Sequence, residues 1–249
     1  MHAAIDRVEP KPLREDLELV FSSILTKVSR RRGDTGAYLD ARRLAPGFAA
    51  KLLVSKAEEL ARALEAFQRA LPKDAPPADV HPDDARTLGT VAASSVDLVV
   101  TSPPYAATYD YVDHHDVRLR WLGLRIDRFA DLELGARRRY ASLSHEAAER
   151  RWRDEMGRAL AAMARTLKPS GRAVIILADS AVAGAPLRAV PVVQGAGKEA
   201  GLAIDAVASQ PRPHFHLPTR RAFSEGEREE HLIALSPSVA GRPDAIGAR

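Results

Sequence analysis

Val96-Asp97-Leu98-Val99-Val100-Thr101-Ser102-Pro103-Pro104-Tyr105 is the stretch on which the fold of this chain turns. Val96 to Thr101 is a short β-branched run, the pattern of a parallel strand buried on both faces. Pro103 and Pro104 stop it, because a residue without a backbone N–H cannot extend a ladder. Ligands of open parallel sheets bind beyond the carboxyl ends of the strands, and Ser102 to Tyr105 falls at such an end. The double proline presents the Ser102 hydroxyl, the Pro103 carbonyl and the Tyr105 ring with little conformational freedom.

That corner suits a planar group carrying an exocyclic amine. The amine lone pair is delocalised into its ring, so two acceptors that take the N–H bonds favour a more pyramidal, nucleophilic nitrogen. Ser102 and the Pro103 carbonyl can serve as those acceptors, and Tyr105 can stack on a base drawn out of its helix. Tyr109 and Tyr111 are further candidates for stacking or for lining the pocket. Methyl transfer from a sulfonium requires no metal and no protein nucleophile, so the absence of cysteine is no obstacle to it. The same absence argues against the covalent route that methylation of cytosine carbon requires. No metal site is read from the sequence: His114 and His115 are adjacent and point apart, and His214 and His216 lack a third ligand.

Upstream of the strand, Leu13, Leu17, Val20, Phe21, Ile24, Leu25 and Val28 predict an amphipathic helix over 12–30. A second helical pattern runs from Phe48 through Leu52, Leu60, Leu64 and Phe67 to Leu71, and the Pro-rich stretch 72–82 ends it. Downstream, Trp152, Met156, Leu160 and Met163 predict a long helix from Ser144 to Leu167. Lys168-Pro169-Ser170-Gly171 then predicts a turn, and Ala173 to Leu177 a buried strand ending at Asp179, which could face the pocket or cap its loop. Strand, crossover helix and strand imply a parallel sheet. Leu202–Val207 and His231–Ser236 supply a third and a fourth strand, the last open to an antiparallel placement. The expected architecture is α/β, with a mostly parallel sheet flanked by helices: a helical segment over 1–75, an α/β domain over 76–240 and a flexible tail over 241–249.

A chain of 249 residues, 45% hydrophobic and 28% charged, can bury a sizeable core. The formal charge of +4 is mild, so the local clusters Arg30-Arg31-Arg32, Arg137-Arg138-Arg139 and Arg220-Arg221 are the candidates for phosphate contacts. No stretch approaches the roughly 18 apolar residues of a membrane span, and no apolar leader opens the chain; a cytoplasmic location is expected.

Ser-Pro-Pro-Tyr after Val-Asp-Leu-Val-Val-Thr resembles the catalytic motif of the amino-methylating DNA methyltransferases, in the variant associated with cytosine amino groups. Adenine enzymes of this family more often carry Asp or Asn before the two prolines. The segment Thr101 to Leu124 is similar to bacterial DNA methylases, and the likeness extends over roughly residues 15 to 238. Asp83-Asp84-Ala85-Arg86 resembles the family's Gly-Asp-Ala-Arg, and Leu167 to Arg172 its turn before the fifth strand. Gln210 to His216 and Arg228 to His231 are also similar to this group.

The resemblance implies a Rossmann-like methyltransferase sheet, S-adenosylmethionine as cofactor and DNA as partner. It implies Ser102, Pro103, Pro104 and Tyr105 as catalytic residues, Asp84, Ala85 and Ser102 at the cofactor, and Tyr105, Tyr109 and Tyr111 at the base. Related architecture occurs in enzymes that methylate guanine amino groups in RNA, and a degenerate relative would bind DNA without catalysis. One departure stands out: the Phe-x-Gly-x-Gly loop that holds the methionine part of the cofactor is missing. Gly195-Ala196-Gly197 lacks the preceding aromatic residue and a convincing strand. The sheet is therefore expected to be incomplete at its first two strands, leaving an apolar edge along Val96 to Thr101. Three explanations stand open: a second chain that supplies the cofactor-loop half, a fragmentary or split reading frame, or N-terminal helices that cover the gap.

Overall fold

A computed structural model describes residues 1–29, 44–213 and 217–238 of the chain. Two compact units share the sequence. The first takes 1–79 and 111–131, the second 80–110 and the rest of the chain from 132. Arg30 to Arg32, His214, His216 and the tail over 241–249 lie outside the described residues.

The first unit is helical: α1 His2–Ile5, α2 Lys11–Val28, α3 Phe48–Ala70, α4 Tyr111–Trp121 and most of α5 Ile126–Leu132. Pro12 sits in the first turn of α2, where its missing N–H costs nothing. The helix buries Phe21 and Leu25 with Ile5 and Val117, and Leu17, Leu53 and Leu122 pack on that cluster. Trp121 meets Phe21 edge-on at 6.0 Å. α4 and α5 have weak apolar periodicity, and the sequence pattern does not mark them.

The second unit is a four-stranded sheet with helices on one side. Its elements are β1 Val96–Thr101, α6 His145–Thr166, β2 Leu167–Ala178, the short hairpin β3 Ser180–Val182 and β4 Ala185–Leu187, α7 Ala189–Glu199, β5 Leu202–Pro211, α8 Leu217–Ala222 and β6 Glu229–Pro237. The order across the sheet is β1-β2-β6-β5. β1, β2 and β5 run one way, as expected of a mostly parallel sheet. β6 runs against them, and it is inserted between β2 and β5 rather than added at an edge. One ladder is therefore parallel and two are antiparallel, so the mostly parallel expectation holds for strand direction but not for pairing.

The turn expected at Lys168 to Gly171 is part of β2, as an irregularity in its ladder with β1. Val96 pairs with Leu167 and Leu98 with Arg172, so the intervening residues of β2 are looped out of register. Gly171 permits this, because a Cβ there would lie 2.9 Å from the Val96 carbonyl oxygen and 3.0 Å from that of Lys168. α6 begins where Ser144 accepts a hydrogen bond from the Ala147 N–H. It buries Trp152, Met156, Leu160 and Met163 against Ala173, Ile175 and Leu177 of β2 and Ile233 and Leu235 of β6. α7 adds Val192, Val193 and Ala196 to the same core.

Among the described residues of this unit, no helix packs on the opposite face of the sheet. Leu98 and Val100 of β1 are 56% and 67% exposed, and Ile176 and its cross-strand partner Leu232 are open as well. The burial of β1 on both faces, expected from its β-branched run, is thus corrected: no β1 residue is buried, and Val99 is half-buried against the core, because among the described residues of this unit the packed helices lie on one side only. Among the described residues, β1 stands at one edge of the sheet. No described helix is long and apolar enough to cross a membrane.

Candidate active site

Ser102 follows the last residue of β1 and is exposed; Pro103, Pro104 and Tyr105 are half-buried, and Ala106 is buried beneath them. Among the described residues no hydrogen bond engages the Ser102 hydroxyl or the Pro103 carbonyl, so both acceptors are open. The loop behind them is fixed from below. The Ala107 N–H donates to the Gly135 carbonyl (2.9 Å), and the Thr108 N–H to that of Tyr105 (3.2 Å). Gly135 has φ +63°, and a Cβ there would come within 3.1 Å of the Trp152 ring and 3.4 Å of the Tyr105 carbonyl oxygen. Only glycine combines that conformation with that approach.

Buried Glu155 holds Gly135 in place. Its Oε2 accepts from the Gly135 N–H (2.8 Å) and the Tyr140 hydroxyl (3.0 Å), while Arg151 Nε donates to Oε1 (3.0 Å). Burial, and then the Glu155 charge, push the Tyr140 phenol well above its ordinary range, so it remains a donor.

Tyr105 is oriented from the side. Its hydroxyl donates to Glu230 Oε1 (2.7 Å), which also accepts from Arg212 (2.6 Å), and Gln210 donates to Oε2 (3.3 Å). The Arg212 guanidinium lies over the Tyr105 ring, 4.8 Å from its centroid. The Tyr105 bond and the nearby Arg212 charge hold the Glu230 carboxyl below its ordinary range. Burial, then the bond to Glu230, raise the Tyr105 phenol.

A second network gathers at the carboxyl end of β2. Asp179, 1% exposed, accepts from the Ala189 N–H (2.9 Å) and Arg188 (2.8 Å) and lies 3.3 Å from His231 Nε2. His231 Nδ1 pairs with the Ser209 hydroxyl of β5 at 2.8 Å. These groups border a cavity of about 710 Å³. Asp179, Glu229 and His231 bring potential metal-ligand atoms within 4.8 Å of one another, a grouping that no sequence spacing announces. Both Asp179 oxygens are already engaged, and the Arg188 cation on one of them opposes a second cation. Asp179 thus caps α7 and the β3 connection.

The other expected site residues are dispersed. Tyr109 lines a cleft with Thr108, Arg212 and Arg228. Tyr111 belongs to the first unit, where it opens α4 with its ring stacked on His115. Asp84 is held within its own turn, accepting from Arg86 Nε (2.9 Å), Nη2 (2.6 Å) and backbone N–H (2.9 Å), with Ala85 exposed between them. Asp83 accepts from Thr90, which lowers its carboxyl to about 2. Gly195-Ala196-Gly197 lies inside α7 and forms no loop. No cofactor clamp is formed by these residues. Arg137 to Arg139 form a 3-10 turn tied to Asp110 and Glu133.

Arg212, Glu230 and Arg228 are not marked as site residues by the sequence, although the two stretches that carry them resemble the family. Their meeting depends on the β5–β6 register, which sets Gln210 opposite Glu230.

No protein-family model matches the chain, and no curated protein matches it. Solved structures do. PvuII DNA methyltransferase, cytosine-N4-specific, is 18% identical at a TM-score of 0.40, over 63% of this chain and 48% of that one. TTHA0409 of Thermus thermophilus, assigned as a DNA modification methylase, is 24% identical at a TM-score of 0.34, over 66% and 54%. Its complex with S-adenosyl-L-methionine is 22% identical at a TM-score of 0.36, over 66% and 55%. The chain spans about half the length of the structures it matches.

Proposed function

We propose that this chain carries the base-binding half of an S-adenosylmethionine-dependent methyltransferase that acts on the exocyclic amino group of a DNA base, with cytosine the first candidate. The observation that carries this reading is the pair of open acceptors, Ser102 hydroxyl and Pro103 carbonyl, at the carboxyl end of β1 beside a fixed Tyr105. The methyl donor supplies an electrophilic carbon on a sulfonium. The chain's own residues take the two N–H bonds of the amine and draw its lone pair out of conjugation, and Tyr105 supports the ring. Among the described residues none forms a glycine-rich clamp for the methionine part of the donor, and Arg86 donates to both oxygens of Asp84.

The reading extends to a partner polypeptide that adds a strand beside β1 and brings the donor side with it. Exposed Leu98 and Val100 on an edge strand support this, since isolated edges of that kind are aggregation-prone. A second reading, a non-catalytic DNA-binding module, is favoured by one observation: Arg212 already occupies a face of the Tyr105 ring. RNA is the remaining alternative substrate.

Labelled S-adenosylmethionine offered with DNA and with RNA, followed by nucleoside mass analysis, tests these readings side by side, with the chain alone and with its co-purifying partner. N4-methylcytosine in DNA is the expected product. Tyr105→Ala should lower the transfer rate by roughly 5- to 150-fold, the equivalent of the ~1–3 kcal/mol of one stacked base. Salt-sensitive DNA binding with no label transferred in either preparation would leave the non-catalytic reading.

A further inference from the structure

Beside the Tyr105 loop lies a cleft of about 550 Å³ of mixed lining, in which Leu143 and Val182 stand with Arg137, Arg212, Thr219 and Arg228 among others. Its arginines are not equivalent. Arg137 is bound to Asp110 (3.3 Å) and Arg212 to Glu230 (2.6 Å). Arg228 is buried, only 7% exposed, and among the described residues it forms no ion pair. Its guanidinium donates once, from Nε to the main-chain carbonyl of Asp179 (2.9 Å). The two carboxylates whose charges it feels are committed elsewhere, Asp179 to Arg188 and Ala189, Glu230 to Arg212 and Tyr105.

A guanidinium keeps its charge in any ordinary condition, and its planar array of donors matches two oxygens of a phosphate. Burying one without a carboxylate is costly unless an anion joins it. Burial, and then the positive charge of Arg212, press Arg228 below its ordinary range, while Tyr109, Asp179 and Glu230 act the other way. Arg212 links this cleft to the candidate active site, because the guanidinium over the Tyr105 ring belongs to a residue that also lines the cleft.

We propose that the cleft binds a phosphodiester group of the nucleic acid strand whose base is presented at Ser102 to Tyr105, with Arg228 as the principal donor and Thr219 in the same lining. The nature of the strand rests on the function proposed above; the anion site itself does not, and its test needs no methyl transfer.

The test is anisotropy of a fluorescein-labelled single-stranded DNA titrated with the full chain across a salt series. Each phosphate neutralised on a single strand contributes about 0.7 to the slope of log K against log salt. Arg228→Gln should flatten the slope by about that amount and weaken binding roughly tenfold across sequences, while Arg228→Lys keeps most of the slope. Arg228 also supports the Asp179 carbonyl, so Thr219→Glu provides a variant away from that bond: it should lose binding with an unchanged melting temperature. Inorganic phosphate should displace the oligonucleotide more effectively than chloride at equal ionic strength. Slopes and affinities indifferent to both positions would overturn the inference. So would a melting temperature raised by inorganic phosphate while oligonucleotide binding ignores Arg228 and Thr219, since that result describes a site for free phosphate only. An intact Arg228-dependent slope with no methyl transfer by the chain alone or with its co-purifying partner would remove the proposed function and leave the anion site standing.

Discussion

At the scale of single residues, the candidate site is defined by what holds Tyr105 rather than by Tyr105 alone. Glu230 takes both the Tyr105 hydroxyl and Arg212, and its carboxyl is held below the ordinary range by them. A carboxyl depressed in the folded state adds stability that is present above its unfolded value of about 4.3 and lost as pH falls through the lower folded value. The Tyr105–Glu230–Arg212 group should therefore persist at neutral pH and come apart only in acid below that unfolded value. Burial is the first cause of the raised Tyr105 phenol and the bond to Glu230 the second, so Glu230→Gln should lower it only part of the way, and ultraviolet titration against Tyr105→Phe would show the change. An unaltered titration would mean that burial alone sets it. The acceptors at Ser102 and Pro103 can be read from the sequence because proline stiffness is local. Glu230 cannot, because its partner lies 125 residues away.

Among the elements, β1 and β2 show how far local patterns reach. β1 is legible to its ends, as a β-branched run closed by prolines. β2 is legible only from Ala173 onward, because the looped stretch before it satisfies turn chemistry and ladder pairing at once. Gly171→Ala should destabilise the second unit by about 1–3 kcal/mol, because the atoms it would strike are backbone carbonyls that cannot yield. Ser144→Ala should cost about 1 kcal/mol, the worth of an N-cap. Urea unfolding of both variants would check the order, and a Gly171→Ala chain as stable as its parent would show that the irregularity can relax. α7 is hidden in the sequence although Ala189, Val192, Val193, Ala196 and Gly197 recur at helical spacing, since Gly195 and Gly197 carry the composition of a loop.

For the whole molecule, the sheet face on which no described helix packs, with its β1 edge, is the dominant feature. Leu98→Lys with Val100→Lys should reduce self-association in light scattering while changing stability by no more than about 0.5 kcal/mol, because both side chains already face solvent. A large loss of stability would mean that they are packed in solution. It would also mark the edge as covered. The proline stop after β1, the long helices α2, α3 and α6 and the central part of each of the four sheet strands are legible in sequence alone, since each depends on periodicity or on proline chemistry within a few residues. The insertion of β6 between β2 and β5, the meeting of Tyr105 with Glu230 and Arg212, and the burial of Arg228 without a carboxylate were decided only by tertiary structure. Each of these depends on register and burial between segments far apart in the chain, and no local pattern encodes which strand a buried charge will lie beside.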